Sequence, residues 1–295
     1  MSTIPRSWLF VPADSDKKIA KALGGEADAI ILDLEDSVAE ANKPAARETA
    51  AAAVADADRD RPQLWIRINP PDSGLAEADL AAIIRTRPYG VMVPKTESGS
   101  DIDTLRRMLD AEEGAQRVQV GSTKISAVAT ETAASLFGLG SYAGVSDRLA
   151  ALTWGAEDLS AALGASSKFD ADGELSFTYR LARSLCLAGA VAADVQPVDS
   201  LYGDFRDQEG LKADCEKGRR EGFTGKLAIH PAQVPVINAA FTPSDAEVEH
   251  ARKVVDLFAA NPDLGTIGLD GKMLDRPHLL QAQRVLDRAD LSGPG

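Results

Sequence analysis

The chain has two cysteines and three histidines in 295 residues. Cys186 and Cys215 fall in helix-like segments without CxxC spacing, which reads as a pair of reduced thiols rather than a disulfide or a metal site. No HxxxH or HExxH pattern occurs, so a zinc centre is not expected. Basic residues are the scarcer charge: 32 Lys and Arg against 45 Asp and Glu leave a net charge of −13 and a pI near 4.8. That balance argues against non-specific contact with nucleic acid or an anionic membrane, and an anionic small ligand would need a local basic patch. No stretch approaches the ~18 uninterrupted apolar residues of a membrane span, and the N-terminal residues carry no apolar signal core. A cytoplasmic protein is expected. There is no internal repeat beyond a recurring strand–helix unit, and no low-complexity linker.

Eight short β-rich runs are present: "SWLFVP", "DAIILD", "LWIRIN", "YGVMVP", "ISAVAT", "LAALTW", "AADVQPV" and "GKLAIHP". Helical patterns separate them, including "AARETAAAAVADA" behind Pro44, "DIDTLRRMLDAEEG", "FTYRLARSLCLAGA" and "DQEGLKADCEKGRREG". Strands alternating with helices force a parallel sheet, because parallel neighbours need a crossover. Eight units in roughly 230 residues predict a (β/α)8 TIM barrel over residues 1–235. A doubly wound open sheet is the alternative. Residues 236–295 then form a C-terminal helical extension, either a cap on the barrel base or a mobile lid.

Barrel enzymes place their chemistry at the C-terminal ends of the strands, and here those ends are unusually charged. Strand one is followed by Asp14, strand two by Asp33, Glu35 and Asp36, and strand three gives Arg67 and Asn69. Lys95 ends strand four, and Glu131, then Glu157 and Asp158, follow strands five and six. Asp199 and His230 follow the last two. Glu131 and Asp158 come from consecutive strands and offer two hard oxygen ligands suited to Mg2+, although acids there also serve as helix N-caps. Arg67 sits inside a β-run and must be paired, whether in a salt bridge to the Asp33, Glu35 and Asp36 group or aimed at a developing oxyanion. Lys95 reads as a charge partner or, less simply, a Schiff-base lysine. His230 reads as a backbone hydrogen-bonding residue beside Pro231.

The segments "RSWLFVPA", "DAIILDLEDSV", "KPAAR", "WIRIN", "VMVPKTE", "ATETA", "LTWGAEDLSAALG", "GFTGKLAIHPAQV" and "GKMLDRPHLLQAQRVL" run in order through nearly the whole chain. Together they resemble the citrate lyase beta subunit and its stand-alone relatives, the malyl-CoA, β-methylmalyl-CoA and citramalyl-CoA lyases of the HpcH/HpaI aldolase group. The resemblance implies a trimeric barrel that binds Mg2+ through Glu131 and Asp158. Arg67 matches the arginine that contacts the substrate carbonyl, and Asp33, Glu35 and Asp36 match the acidic group that orders it. Asp275, in a G-x-M-x-D-x-P stretch with Met273 and Pro277, matches a lid aspartate that reaches a neighbouring subunit's site. The first loop departs from the family's Pro-Gly, reading Pro12-Ala13 here.

The expected reaction is cleavage or formation of a 3-hydroxyacyl-CoA thioester such as malyl-CoA or citramalyl-CoA, with an oxo acid as the second partner. Arg67 would steady the thioester enolate, Asp275 would manage its proton, and Arg6, Lys17, Lys18 and Lys21 would meet the CoA phosphates. Thioester hydrolysis, action on a carrier-protein thioester in a citrate lyase complex, and a non-catalytic acyl-CoA-binding barrel are the alternatives.

Overall fold

In a computed structural model that describes residues 4–58 and 61–292, eight parallel strands close into a barrel. They are β1 (Ser7–Pro12), β2 (Ala29–Asp33), β3 (Gln63–Arg67), β4 (Gly90–Val93), β5 (Lys124–Val128), β6 (Leu149–Thr153), β7 (Gln196–Asp199) and β8 (Gly225–Ala228). Strand β8 pairs back onto β1, with Ser7 opposite Lys226 and Leu9 opposite Ala228. That closure rules out the open sheet. The chain divides into a barrel unit, Pro5–Asn238, and a second compact unit that begins at Ala239.

Between the strands run α1 (Asp16–Leu23), α2 (Lys43–Asp56), α3 (Ala76–Ile83), α4 (Gly99–Ala115), α5 (Ser135–Gly138), α6 (Ala156–Ala162), α7 (Phe177–Ala192) and α8 (Gln208–Glu221). Local chemistry sets their ends. A reciprocal capping box between Ser98 and Asp101 starts α4. Asp207 accepts the Gly210 amide at the start of α8, and Gly222 closes that helix with φ of 123°.

Alternate strand residues face the barrel interior, where Trp8, Ala29, Ile31, Trp65, Met92, Val128, Ala151, Val198 and Leu227 form one buried cluster. The Trp8 and Trp65 rings lie 4.9 Å apart and tilted by 43°, filling much of that space. Gly90 makes room for them, because a methyl group there would come within 2.3 Å of the Trp65 ring. The same alternation fixes the polar ends. Asp33 follows Ile31 inward by two residues and Arg67 follows Trp65 likewise, so both point into the mouth. Asp199 follows inward-facing Val198 by one and points the other way.

The second unit contains α10 (Asp245–Ala260), strands β9 (Thr266–Leu269) and β10 (Lys272–Asp275), and α11 (Arg276–Ser292); α9 (Val234–Phe241) spans the division. Its core is Ala251, Val254, Phe258, Ile267, Leu274 and Ala282. Within the extension expected to be helical, β9 and β10 form an antiparallel hairpin, with Asp270 at φ 50° and Gly271 at φ 76°. Asp-Gly with both residues left-handed is the two-residue connection whose twist suits paired strands. No helix among the described residues is long and apolar enough to cross a membrane.

Candidate active site

Neighbouring strands β2 and β3 put Asp33 and Arg67 directly opposite each other. The guanidinium grips Asp33 with both arms, Nε to Oδ1 and Nη2 to Oδ2, each at 2.7 Å. Amides of Glu35 and Ser37 also donate to Asp33, at 3.0 and 3.2 Å. Burial to 2% exposure pushes the Asp33 carboxyl up, but the Arg67 fork and these donors outweigh it and hold the group below its ordinary value. Arg67 also lies over the Phe10 ring at 4.8 Å, and its Nη1 is 3.0 Å from Glu35 Oε2. That last contact lacks hydrogen-bond geometry, and the buried Oε2 has no hydrogen-bond partner.

Lys95 carries the opposite side of the cluster. Its ammonium donates to Glu35 Oε1 at 2.5 Å and stands 3.8 Å from both Asp36 Oδ1 and Asp158 Oδ1. Its backbone amide donates to Glu131 Oε2 at 2.6 Å. Lys95 does this from a left-handed conformation, φ 55°, which costs a side-chain-bearing residue roughly 1–2 kcal/mol. Glu131 is 5% exposed. Its removal from water, with the negative charges of Asp158 and Glu35 nearby, pushes its carboxyl up to about 8. Gly155 lies against it: a methyl at that position would be 2.8 Å from Glu131 Cγ and 3.1 Å from Oε1. Glu35 is raised as well, burial and Asp36 outweighing Arg67 and Lys95.

A second tier lies behind the mouth, and of its members only Asn69 stood out in the sequence. The buried Lys43 ammonium donates to Leu34 O, Glu35 O and Asn69 Oδ1 at 2.7, 2.9 and 2.7 Å. Asp79, fully buried, accepts from Asn69 N and Nδ2 and from Arg47 Nε, each at 2.7 Å. This relay holds the β2 turn that carries Glu35 and Asp36. Lys43→Met would strip three bonds from buried acceptors and is expected to lower stability by about 3 kcal/mol in urea unfolding. A loss below about 1 kcal/mol would show that the relay is dispensable.

The structure does not bring every sequence candidate to the mouth. Arg6 precedes β1 and forks onto Asp28, which precedes β2, with Nε–Oδ2 at 2.7 Å and Nη2–Oδ1 at 3.0 Å. Both stand at the N-terminal pole, so Arg6 is withdrawn as a phosphate-binding residue. Lys17 opens α1 on the mouth side and is exposed; Lys21 is also exposed but lies in the last turn of that helix. Asp199 does not reach the mouth either. It faces the helices, held by Arg183 Nε and Nη2 at 2.9 Å, Trp154 Nε1 at 2.7 Å and Lys226 Nζ at 3.3 Å. His230 accepts the Ala232 amide through Nδ1 at 3.1 Å. Asp275 belongs to the second unit, where its Oδ1 meets His278 Nδ1 at 2.5 Å. Ala13 fits its loop without strain, fully buried with its amide on Asp33 O at 3.0 Å.

Five carboxylates, Asp33, Glu35, Asp36, Glu131 and Asp158, thus surround two cations, Arg67 and Lys95. The excess of negative charge, a buried Glu35 Oε2 that accepts no hydrogen bond and the all-oxygen donor set suit a hard divalent cation. Among the described residues no three His, Cys, Asp or Glu side chains are grouped to hold a metal unaided. Glu131 and Asp158 could hold one with waters or a bidentate substrate completing the shell.

Residues 175–293 match the model for C-C bond lyases of the TIM-barrel fold, in agreement with the closed barrel. The chain is a member of the HpcH/HpaI aldolase/citrate lyase family, whose model matches residues 6–231. It is 33% identical over 287 residues to a (3S)-malyl-CoA thioesterase of Cereibacter sphaeroides, covering 97% of this chain and 94% of that one. It is 32% identical over 300 residues to the mitochondrial citramalyl-CoA lyase of Rattus norvegicus, covering 96% and 86%. The crystal structure of CitE from Mycobacterium tuberculosis in complex with magnesium, acetoacetate and coenzyme A superposes with a TM-score of 0.78, at 35% identity and 98% coverage of both chains.

Proposed function

We propose that the protein is a Mg2+-dependent carbon–carbon lyase acting on a 3-hydroxyacyl-CoA thioester, malyl-CoA or citramalyl-CoA, releasing acetyl-CoA and an oxo acid. The carrying observation is Arg67: a guanidinium locked on Asp33 at the barrel mouth, beside more carboxylates than the two cations there can balance. The magnesium, acetoacetate and coenzyme A of the M. tuberculosis relative and the name of the rat enzyme support this reading.

Glu131 and Asp158 would hold the metal, which supplies Lewis acidity to the hydroxyl and carboxylate oxygens of the oxo-acid half. Glu35, with Oε2 free of hydrogen bonds, takes the hydroxyl proton. The bond between the carbinol carbon and the thioester α-carbon then breaks, and its electron pair moves into the thioester. Arg67 stabilises the enolate oxygen that results, its arms kept in place by Asp33. Asp275, carried by the C-terminal unit as a lid over a neighbouring subunit of a trimer, returns a proton to the enolate carbon to give acetyl-CoA. Lys17 and Lys21 meet the CoA phosphates.

The Cereibacter relative favours a second reading, in which the same site ends in thioester hydrolysis. Products separate the two. With Mg2+, a panel of 3-hydroxyacyl-CoA esters is expected to yield acetyl-CoA and an oxo acid, with turnover lost on chelation and regained on adding Mg2+. Free CoA with an intact hydroxy acid would establish the thioesterase. Failure of folded protein on the whole panel would remove both.

A further inference from the structure

Lys95 touches acids carried by three different strands. Its amide meets Glu131 beyond β5, while its ammonium meets Glu35 and Asp36 beyond β2 and Asp158 beyond β6. It reaches them from a backbone shape that glycine or asparagine adopts at less cost. A strained residue persists where its surroundings over-determine it. Here the surroundings are the acids themselves: three carboxylates that repel one another lie within 3.8 Å of one tethered ammonium, and a fourth side chain accepts its amide.

We infer that Lys95 is a positioning residue, whose amide fixes which oxygen of Glu131 stays available and whose ammonium keeps the carboxylates gathered until a divalent cation arrives. The inference rests on the reading of Glu131 and Asp158 as metal ligands and gives Lys95 no covalent part. Two opposed effects follow. The ammonium organises the ligands, and it also repels the incoming ion. Its removal should therefore strengthen Mg2+ binding while impairing turnover, a split that simple damage to the fold does not produce.

The test uses full-length, metal-free protein and Mg2+ alone as the calorimetric probe. Lys95→Met is expected to bind Mg2+ about tenfold more tightly than wild type, to melt lower without metal, and to gain more in melting temperature when Mg2+ is added. Its kcat for the thioester should fall roughly 100-fold. Lys95→Gly keeps the amide and relieves the backbone, so it should show the same tighter Mg2+ binding with a melting temperature above that of Lys95→Met. Lys95→Arg retains the charge and should return Mg2+ affinity to within about threefold of wild type. Unchanged or weaker Mg2+ binding by folded Lys95→Met or Lys95→Gly overturns the inference alone. Wild-type protein that takes up no Mg2+ overturns the metal reading and the inference together.

Discussion

Arg67→Ala is expected to lower kcat on the cleaved thioester by roughly 10³-fold, the scale reported when a preorganised oxyanion donor is removed. The expectation rests on geometry. Asp33 holds two nitrogens of the guanidinium at 2.7 Å, so its arms are fixed before substrate arrives and little reorganisation accompanies charge development. The same substitution has a structural cost, since buried Asp33 would lose its cation and buried Glu35 would keep only Lys95. Breaking such a pair costs about 3–5 kcal/mol, and unfolding by urea would register it. Because Arg67 keeps the Asp33 carboxyl low, that part of the stability is present above the ordinary carboxylate value and is lost as pH falls through the lowered one. The variant should lack that acid-side transition. Arg67→Lys separates charge from fork: one ammonium cannot grip both Asp33 oxygens in the same plane, so it should recover stability better than turnover. A folded alanine variant within tenfold of wild-type kcat would take Arg67 out of the reaction.

Glu131→Gln is the second large expected effect. Glutamine keeps the shape that packs on Gly155 but gives up the charge, and Mg2+ affinity should fall roughly 100-fold or more, with turnover following. Titration calorimetry with Mg2+ measures the first, initial rates at saturating Mg2+ the second. The metal-free protein supplies an independent check. Between the ordinary 4.5 and the elevated value of about 8, folded Glu131 keeps a proton that the unfolded chain has released. The folded state then binds more protons, so this contribution to stability is complete below 4.5 and disappears as pH rises through about 8. Glu35, raised for similar reasons, acts with the same sign. Melting temperatures of the glutamine variant should therefore decline less steeply across that range than those of wild type. A variant that binds Mg2+ like wild type would dismiss Glu131 as a ligand.

The barrel was legible because each strand is an apolar run interrupted by helical periodicity, and observed starts and ends fall close to those runs. "AADVQPV" is the exception: its first residues finish α7 and turn, and pairing begins only at Gln196. Arg67 and Asp33 announced themselves as charges inside apolar segments. Lys43 gave no such signal, since a lysine before Pro44 reads as a solvated helix start and its partners lie 8, 9 and 26 residues away. The left-handed turn at Lys95 is equally silent, lacking the glycine or asparagine that marks such sites. Arg6 was misplaced by proximity in sequence to Lys17. Six residues of β1 at about 3.3 Å each separate the two poles by roughly 20 Å. The hairpin at Asp270–Gly271 had a readable Asp-Gly signal that the helical surroundings obscured.

That Asp33 faces Arg67 across two hydrogen-bonded strands makes their partnership a property of the ladder rather than of any loop. A slip of one residue in either strand would turn its member outward, so the pair stands or falls with that register. The rim segments beyond the strand ends carry no such constraint. They could be lengthened or exchanged while the Asp33–Arg67 pair stays embedded in the wall.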